Sequence, residues 1–213
     1  MPEFSGRFDQ LVLASSNPGK LRELSAMLQP LGVTVRTQGE WNIEDAVEDG
    51  LTFVENALIK ARHASRHTGL PALGDDSGLV VDALQGKPGI YSSRYAGPVA
   101  NDQANNRKLL EALKDVPAEN RSAHFYCAMV WLRHAGDPAP LISIGSWPGF
   151  ILDVQRGEGG FGYDPLFWLP SEECSSAELP AEVKNRLSHR GQALSKLVAN
   201  MKSEFGGSEP GAD

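Results

Sequence analysis

The chain has 213 residues, 41% apolar and 22% charged, which is enough to bury one substantial core. Its net charge of -7 and pI near 5.3 exclude a nucleic-acid polymer or an anionic membrane as the main partner, because both repel an acidic protein. A small anion remains allowed if a local basic pocket or a metal ion stands between its charges and the carboxylates of the protein. No apolar run approaches the roughly 18 residues of a membrane span, and residues 1–10 lack the charged-then-apolar order of a signal peptide. The two cysteines, Cys127 and Cys174, show no metal-ligand spacing, so free thiols and a cytoplasmic location are expected.

The first predicted strand, Leu11-Val12-Leu13-Ala14, runs into Ser15-Ser16-Asn17-Pro18-Gly19-Lys20 and then a helix-patterned segment over 21–28. Asn17 is placed to cap that helix and Pro18 to occupy its first position, leaving the next amides unpaired at a positive dipole end. Such a terminus attracts phosphate, and Lys20 with the hydroxyls of Ser15 and Ser16 adds to the attraction. An ordinary strand-to-helix turn is the plainer alternative. Gly32 ends the helix before a strand-like 33–35, giving a strand-helix-strand opening. A second helix starts after Thr52, which forms a capping box with Glu55, and turns Val54, Ala57, Leu58 and Ala61 to the core with Lys60 near the edge of that face.

Residues 70–84 read as two strands broken at Asp75-Asp76-Ser77-Gly78, and residues 101–116 as a helix carried by Leu109, Leu110 and Leu113. Two long strands, 123–132 and 141–151, flank a turn at Gly136-Asp137-Pro138 and suit an antiparallel pair. Ser188 then caps a last helix with Leu194, Leu197, Val198, Met201 and Phe205 on one face. Parallel-type and hairpin-type strands interleaved with helices predict the α/β class, a mixed sheet with flanking helices. One domain is expected over 1–205, with the glycine-rich 206–213 as a disordered tail.

Three further clusters carry chemistry. Asp75 and Asp76, with Glu48 and Asp49 in the acidic loop before the second helix, are hard oxygen donors that favour Mg²⁺ over zinc, unless they form only an acidic turn. Side by side, the two aspartates would either raise each other's pKa or recruit a cation. The glycine density of 157–165 lets backbone approach a flat ligand with Phe161 and Tyr163 available to stack; a glycine-rich hairpin with core aromatics is the alternative. Its formal match to a dinucleotide-binding loop fails, because Asp164-Pro165 interrupts the helix such a loop must open. Lys184, Ser188, His189 and Arg190 form either a solvated basic face or a donor set that selects a 6-keto purine over a 6-amino one. A Walker loop is excluded, since Ala14 and Leu21 stand where glycine and a hydroxyl residue belong. Asp76-Ser77-Gly78 matches the triplet of aspartic proteases, which a homodimer would have to supply twice.

In their order the islands Ser15 to Lys20, Gly50 to Ala57, Asp75 to Leu79, Pro88 to Tyr95, Gly159 to Pro165 and Ser188 to Gly191 resemble the inosine/xanthosine triphosphate pyrophosphatase family. The resemblance spans nearly the whole chain. It departs at Ser16, where the family often has glycine. It implies an ITPase-like fold of two lobes around a central substrate cleft, a homodimer, Mg²⁺ dependence, and hydrolysis of dITP, ITP and XTP to monophosphate and pyrophosphate. Carried over by position, Ser15, Ser16, Asn17, Pro18, Gly19 and Lys20 would hold phosphates, Asp76 would accept a proton and bind metal, and Ser77 would touch substrate. Glu48 would join the metal, with Asp75 and Lys60 supporting the catalytic centre. Phe161, Gly162, Tyr163 and Asp164 would enclose the base with Lys184, His189 and Arg190. The Pro88 to Tyr95 island reads as a structural loop.

Overall fold

A computed structural model describes residues 9–15 and 18–205. Seven strands form one sheet in the order β2-β1-β3-β4-β5-β6-β7, with β1 Gln10–Leu13, β2 Thr34–Thr37, β3 Ala72–Val81, β4 Ser122–Leu132, β5 Leu141–Ile151, β6 Phe167–Leu169 and β7 Cys174–Ser175. β1 pairs in parallel with both β2 and β3, whereas β5–β6 and β6–β7 pair antiparallel. The amide of Ile151, at the end of β5, donates to the carbonyl of Arg121 just ahead of β4, so these two strands also run antiparallel. The mixed sheet is the one the sequence predicts. Five helices accompany it among the described residues: α1 Pro18–Leu28, α2 Phe53–Thr68, α3 Asp102–Leu113, α4 Ala181–Leu187 and α5 His189–Phe205.

The helix starts follow local chemistry. Thr52 accepts the Glu55 amide at 3.2 Å, and the Glu55 carboxylate accepts the Leu51 amide at 2.8 Å and the Thr52 hydroxyl at 2.9 Å. Asn101 accepts the Ala104 amide at the start of α3, and Ser188 accepts the Gly191 amide at the start of α5. Pro18 opens α1 as expected; Ser16 and Asn17, the expected cap, lie outside the described residues, as does the tail 206–213. Helix α4 is an addition, preceding Ser188 where no helix is legible in the sequence.

The chain divides into two compact units, each assembled from separate stretches. One comprises Met1–Asp76, Ala128–Ser143 and Ala193–Asp213; the other comprises Ser77–Cys127 and Ile144–Gln192. The first has a small-residue core in which Val12, Ala14, Ala61, Ala64, Ala72 and Leu132 meet, with Trp41, Leu58 and Leu70 against them. The second has a larger aromatic core that includes Leu79, Leu109, Leu113, Phe125, Trp147, Tyr163 and Phe167.

The expected break at 75–78 does not occur: β3 runs unbroken through Asp75-Asp76-Ser77-Gly78. Charged residues survive in a buried strand when each has a partner, and both aspartates do. Gly74 shapes the same stretch. A Cβ there would lie 2.1 Å from the Ala57 carbonyl oxygen and 2.8 Å from the Ala61 amide nitrogen, so the absence of a side chain is what lets α2 lie directly on β3.

The turn between β4 and β5 is held by one buried carboxylate. Asp137 accepts from the Arg133 guanidinium at 2.8 and 2.6 Å, from the Arg133 amide at 3.0 Å and from the Ala139 amide at 3.0 Å. The guanidinium bonds hold its pKa well below the ordinary carboxylate range. A depressed folded-state value stabilises the fold above the unfolded pKa near 3.8 and loses that contribution as pH falls through the folded value. Asp137→Ala is therefore expected to lower the Tm at pH 7 by roughly 5 °C, and the gap to the parent should narrow steadily below about pH 4. A gap independent of pH in thermal melts would assign the loss to packing instead.

Candidate active site

In the first unit the site is built on β3 and two helices. Alternate residues of a strand point to opposite faces, so Asp75 and Asp76 part company. The Lys20 ammonium, from the first turn of α1, lies 2.8 and 2.7 Å from the two carboxylate oxygens of Asp75, which is only 3% exposed. Asp76 meets α2: Lys60 donates to its Oδ1 at 2.9 Å and Asn56 to its Oδ2 at 3.3 Å. Asn56 and Lys60 are four residues apart, hence on one helix face, and the close approach at Gly74 delivers that face to the strand. Glu48 lies 3.4 Å from the same Lys60 ammonium.

Electrostatics follow from this geometry. Burial pushes the Asp76 carboxyl above its ordinary value and the Glu48 charge adds to the rise, with Lys60 and Asn56 opposing it. Burial pulls the Lys60 ammonium down, but Asp76, Asp75 and Glu48 outweigh it, so the group stays charged. Within this chain Asp76 faces the Lys60 ammonium, not a second aspartate.

Among the described residues no three His, Cys, Asp or Glu side chains converge as a metal cage. Glu48 and Asp76 nevertheless both reach one cation, the Lys60 ammonium, at 3.4 and 2.9 Å. A pair of carboxylates completed by ligand phosphates and water is the usual Mg²⁺ arrangement, and these oxygens fit it.

The second unit holds the other cluster. Asp164 is buried and fully engaged: it accepts from the Phe161 amide at 2.8 Å, the Ser176 hydroxyl at 2.8 Å and the Lys184 ammonium. Gly160, at φ +75°, would place a Cβ 2.2 Å from that carboxylate, so the loop closes around Asp164 only with glycine there. Phe161 is left 63% exposed, with Lys184 Nζ 5.2 Å and the Arg190 guanidinium 6.0 Å from its ring centroid. Arg190 also donates to the Ser77 hydroxyl at 3.2 Å. Tyr163 turns inward, buried in the core with its hydroxyl donating to the Ser92 carbonyl at 2.8 Å. Of the two expected stacking aromatics, Phe161 is thus the one that faces outward. His189 stacks on Phe125, ring centroids 4.9 Å apart.

Several contributors are not legible as such in the sequence. Asn56 also accepts the Gly50 amide at 3.0 Å, tying the loop that carries Glu48 to the strand that carries Asp76. Its one signal in the sequence is a polar residue in the first turn of α2, four residues before Lys60; the structure buries it fully. Ser176, Ser92, Asp102 and Asn106 support the Phe161 loop from distant segments.

The fold and these two clusters define an α/β protein in which a buried, lysine-paired acid centre ends one unit at Asp76 and a cation-flanked aromatic loop belongs to the next, which begins at Ser77. Residues 11–200 match the model of the Ham1 family, and the chain belongs to that family. A protein of Xanthomonas axonopodis pv. citri named dITP/XTP pyrophosphatase is 61% identical over 188 residues, 88% of this chain and 94% of its own length. One of the same name from Photobacterium profundum is 54% identical over 193 residues, covering 91% and 98%. The solved structure of a HAM1 protein from Coxiella burnetii superposes with a TM-score of 0.88 at 48% identity, covering 91% of this chain and 98% of that one. The resemblance read from the sequence islands is borne out.

Proposed function

We propose that this chain is a Mg²⁺-dependent nucleoside-triphosphate pyrophosphatase that cleaves dITP, ITP and XTP to the monophosphate and pyrophosphate, clearing deaminated purines from the nucleotide pool. The observation that carries the reading is Asp76: a buried carboxylate with a raised pKa, held by Lys60 and Asn56 on a strand whose other face pairs Asp75 with Lys20 at the start of a helix. The names of the relatives supply the substrate class.

In this reading Asp76 accepts a proton from a water whose oxygen bonds to the α-phosphorus as the bond to the bridging oxygen breaks. Lys20 and Lys60 neutralise charge on the departing pyrophosphate, with Ser15 to Gly19 around the phosphates. Glu48 and Asp76 would hold Mg²⁺, which when bound supplies charge neutralisation across the phosphate oxygens. Phe161 offers its exposed ring to the base, and Lys184 and Arg190, which donate and never accept, favour a 6-keto group over a 6-amino group. Ser77, Gly162, Tyr163, Asp164 and His189 complete or support the base site. A homodimer and a cytoplasmic location belong to the same proposal. The two free cysteines agree with a reducing compartment, and among the described residues no helix is long and apolar enough to cross a membrane.

The test is pyrophosphate release from ITP, dITP, XTP, GTP and ATP with Mg²⁺ or with a chelator. Fast release from the first three, slow release from the others and loss of all of it on chelation is the expected pattern. Binding of ITP without release, or hydrolysis that ignores chelation, would overturn it.

A further inference from the structure

Gly162 lies next to the exposed ring of Phe161, in left-handed backbone at φ +62°. Both of its backbone polar groups are held by side chains of α3. Its N–H donates to the Asp102 carboxylate at 2.7 Å, and its carbonyl accepts from the Asn106 amide nitrogen at 3.0 Å. Asp102 and Asn106 are four residues apart and share one helix face. The helix is itself firmly placed. Leu109 and Leu113 are buried in the aromatic core, and Asn105 bridges the Ala96 amide and the Ser93 carbonyl, one residue beyond the Ser92 carbonyl that receives Tyr163.

Asn106 is 3% exposed, and its side-chain oxygen has no hydrogen-bonding partner. A buried acceptor left unmatched is costly, and leucine would fill a similar volume without that cost. The amide is therefore retained for the bond that it donates. Without this bond and that of Asp102, a left-handed glycine has wide conformational freedom, and Phe161 beside it would have to be ordered by the ligand at a cost in affinity.

We infer that Asp102 and Asn106 are positioning residues for purine recognition, clamping Gly162 so that the Phe161 ring and its flanking cations are set before the base arrives. This rests on the reading that the base binds at Phe161. Neither residue touches the base in this scheme; both act through the loop.

The experiment measures kcat and KM for ITP, product inhibition by inorganic pyrophosphate and the Tm, for Asn106→Leu, Asp102→Ala, Asp102→Asn and, as a reference, Phe161→Ala. Asn106→Leu and Asp102→Ala are expected to raise KM roughly 5- to 10-fold, to leave kcat within about twofold and to leave pyrophosphate inhibition unchanged, because pyrophosphate has no base. Asp102→Asn keeps an oxygen for the Gly162 amide and should return KM to within about twofold of the parent. Asp102 is exposed in the first turn of α3, so its variants remain informative if Asn106→Leu folds poorly. An unchanged KM, or equal weakening of ITP and pyrophosphate, would overturn the clamp while a KM rise in Phe161→Ala keeps the base site. No rise in Phe161→Ala would overturn the base site and the clamp with it.

Discussion

Asp76→Asn is expected to lower kcat about 100- to 10,000-fold while KM for ITP changes by less than about threefold, the pattern of a lost general base. The substitution is nearly isosteric, and the buried side chain keeps its place on β3 beside Lys60 and Asn56. What disappears is the capacity to take up a proton. A carboxylate whose pKa burial has raised is a better acceptor than an exposed one, and an amide in the same position is none. Lys60 is not left without an anionic neighbour, because Glu48 lies 3.4 Å away, so the neighbourhood tolerates the loss of charge. Steady-state kinetics with a thermal melt separate the outcomes. A kcat within twofold of the parent would move the base elsewhere, and a collapse in Tm would mean that the Asp76–Lys60 pair serves the fold first.

The second large effect concerns a residue with no side chain. Gly74→Ala puts a methyl group 2.1 Å from the Ala57 carbonyl oxygen, well inside van der Waals contact, and the atom it meets belongs to helix backbone that has no rotamer to change. Helix α2 must retreat from β3. Overpacking of this kind costs about 1–3 kcal/mol, sometimes more, which in a chain of this size is a Tm lower by roughly 5–10 °C. Activity should suffer more than stability does. Asn56 and Lys60 lie on the row of α2 adjacent to Ala57 and Ala61, so retreat draws both away from Asp76, and misplacement by about an ångström can cost on the order of 100-fold in rate. Gly136→Ala is the control: a Cβ there meets nothing closer than His134 Nδ1 at 3.8 Å, and both Tm and kcat should stay near the parent values. Full activity in Gly74→Ala would show that the contact between α2 and β3 does not position the site.

How far the sequence reading reached depended on the range of the interaction. Thr52 and Ser188 were legible as caps because each bonds within three residues of itself, as Asn101 also proves to do. β5 was legible as a long strand set off from β4 by the Gly136-Asp137-Pro138 turn, but not which face it buries: Ser143, Gly145, Trp147, Gly149 and Ile151 turn inward while Ile142, Ile144 and Phe150 face outward. The order of the motif islands along the chain pointed to the family, and the comparisons agree. The break predicted in β3 failed for the opposite reason: Asp75 and Asp76 look like a turn until the ammonium groups of Lys20, 55 residues earlier, and Lys60, 16 residues earlier, are set against them.

By itself the sequence determined which residue types would carry the chemistry, where α1, α2, α3 and α5 begin and which family the chain resembles. These are properties of neighbours along the chain or of the letters themselves. Only the tertiary structure decided that Asp75 and Asp76 face apart and meet the ammonium groups of different lysines, that Tyr163 serves the core while Phe161 faces outward, that Asn56 reaches Asp76 and that Asp102 and Asn106 bond to Gly162. Each of those outcomes rests on side chains from separate elements meeting at hydrogen-bonding distance. Such meetings depend on how closely backbones approach, as at Gly74, and no local pattern of residues records that distance.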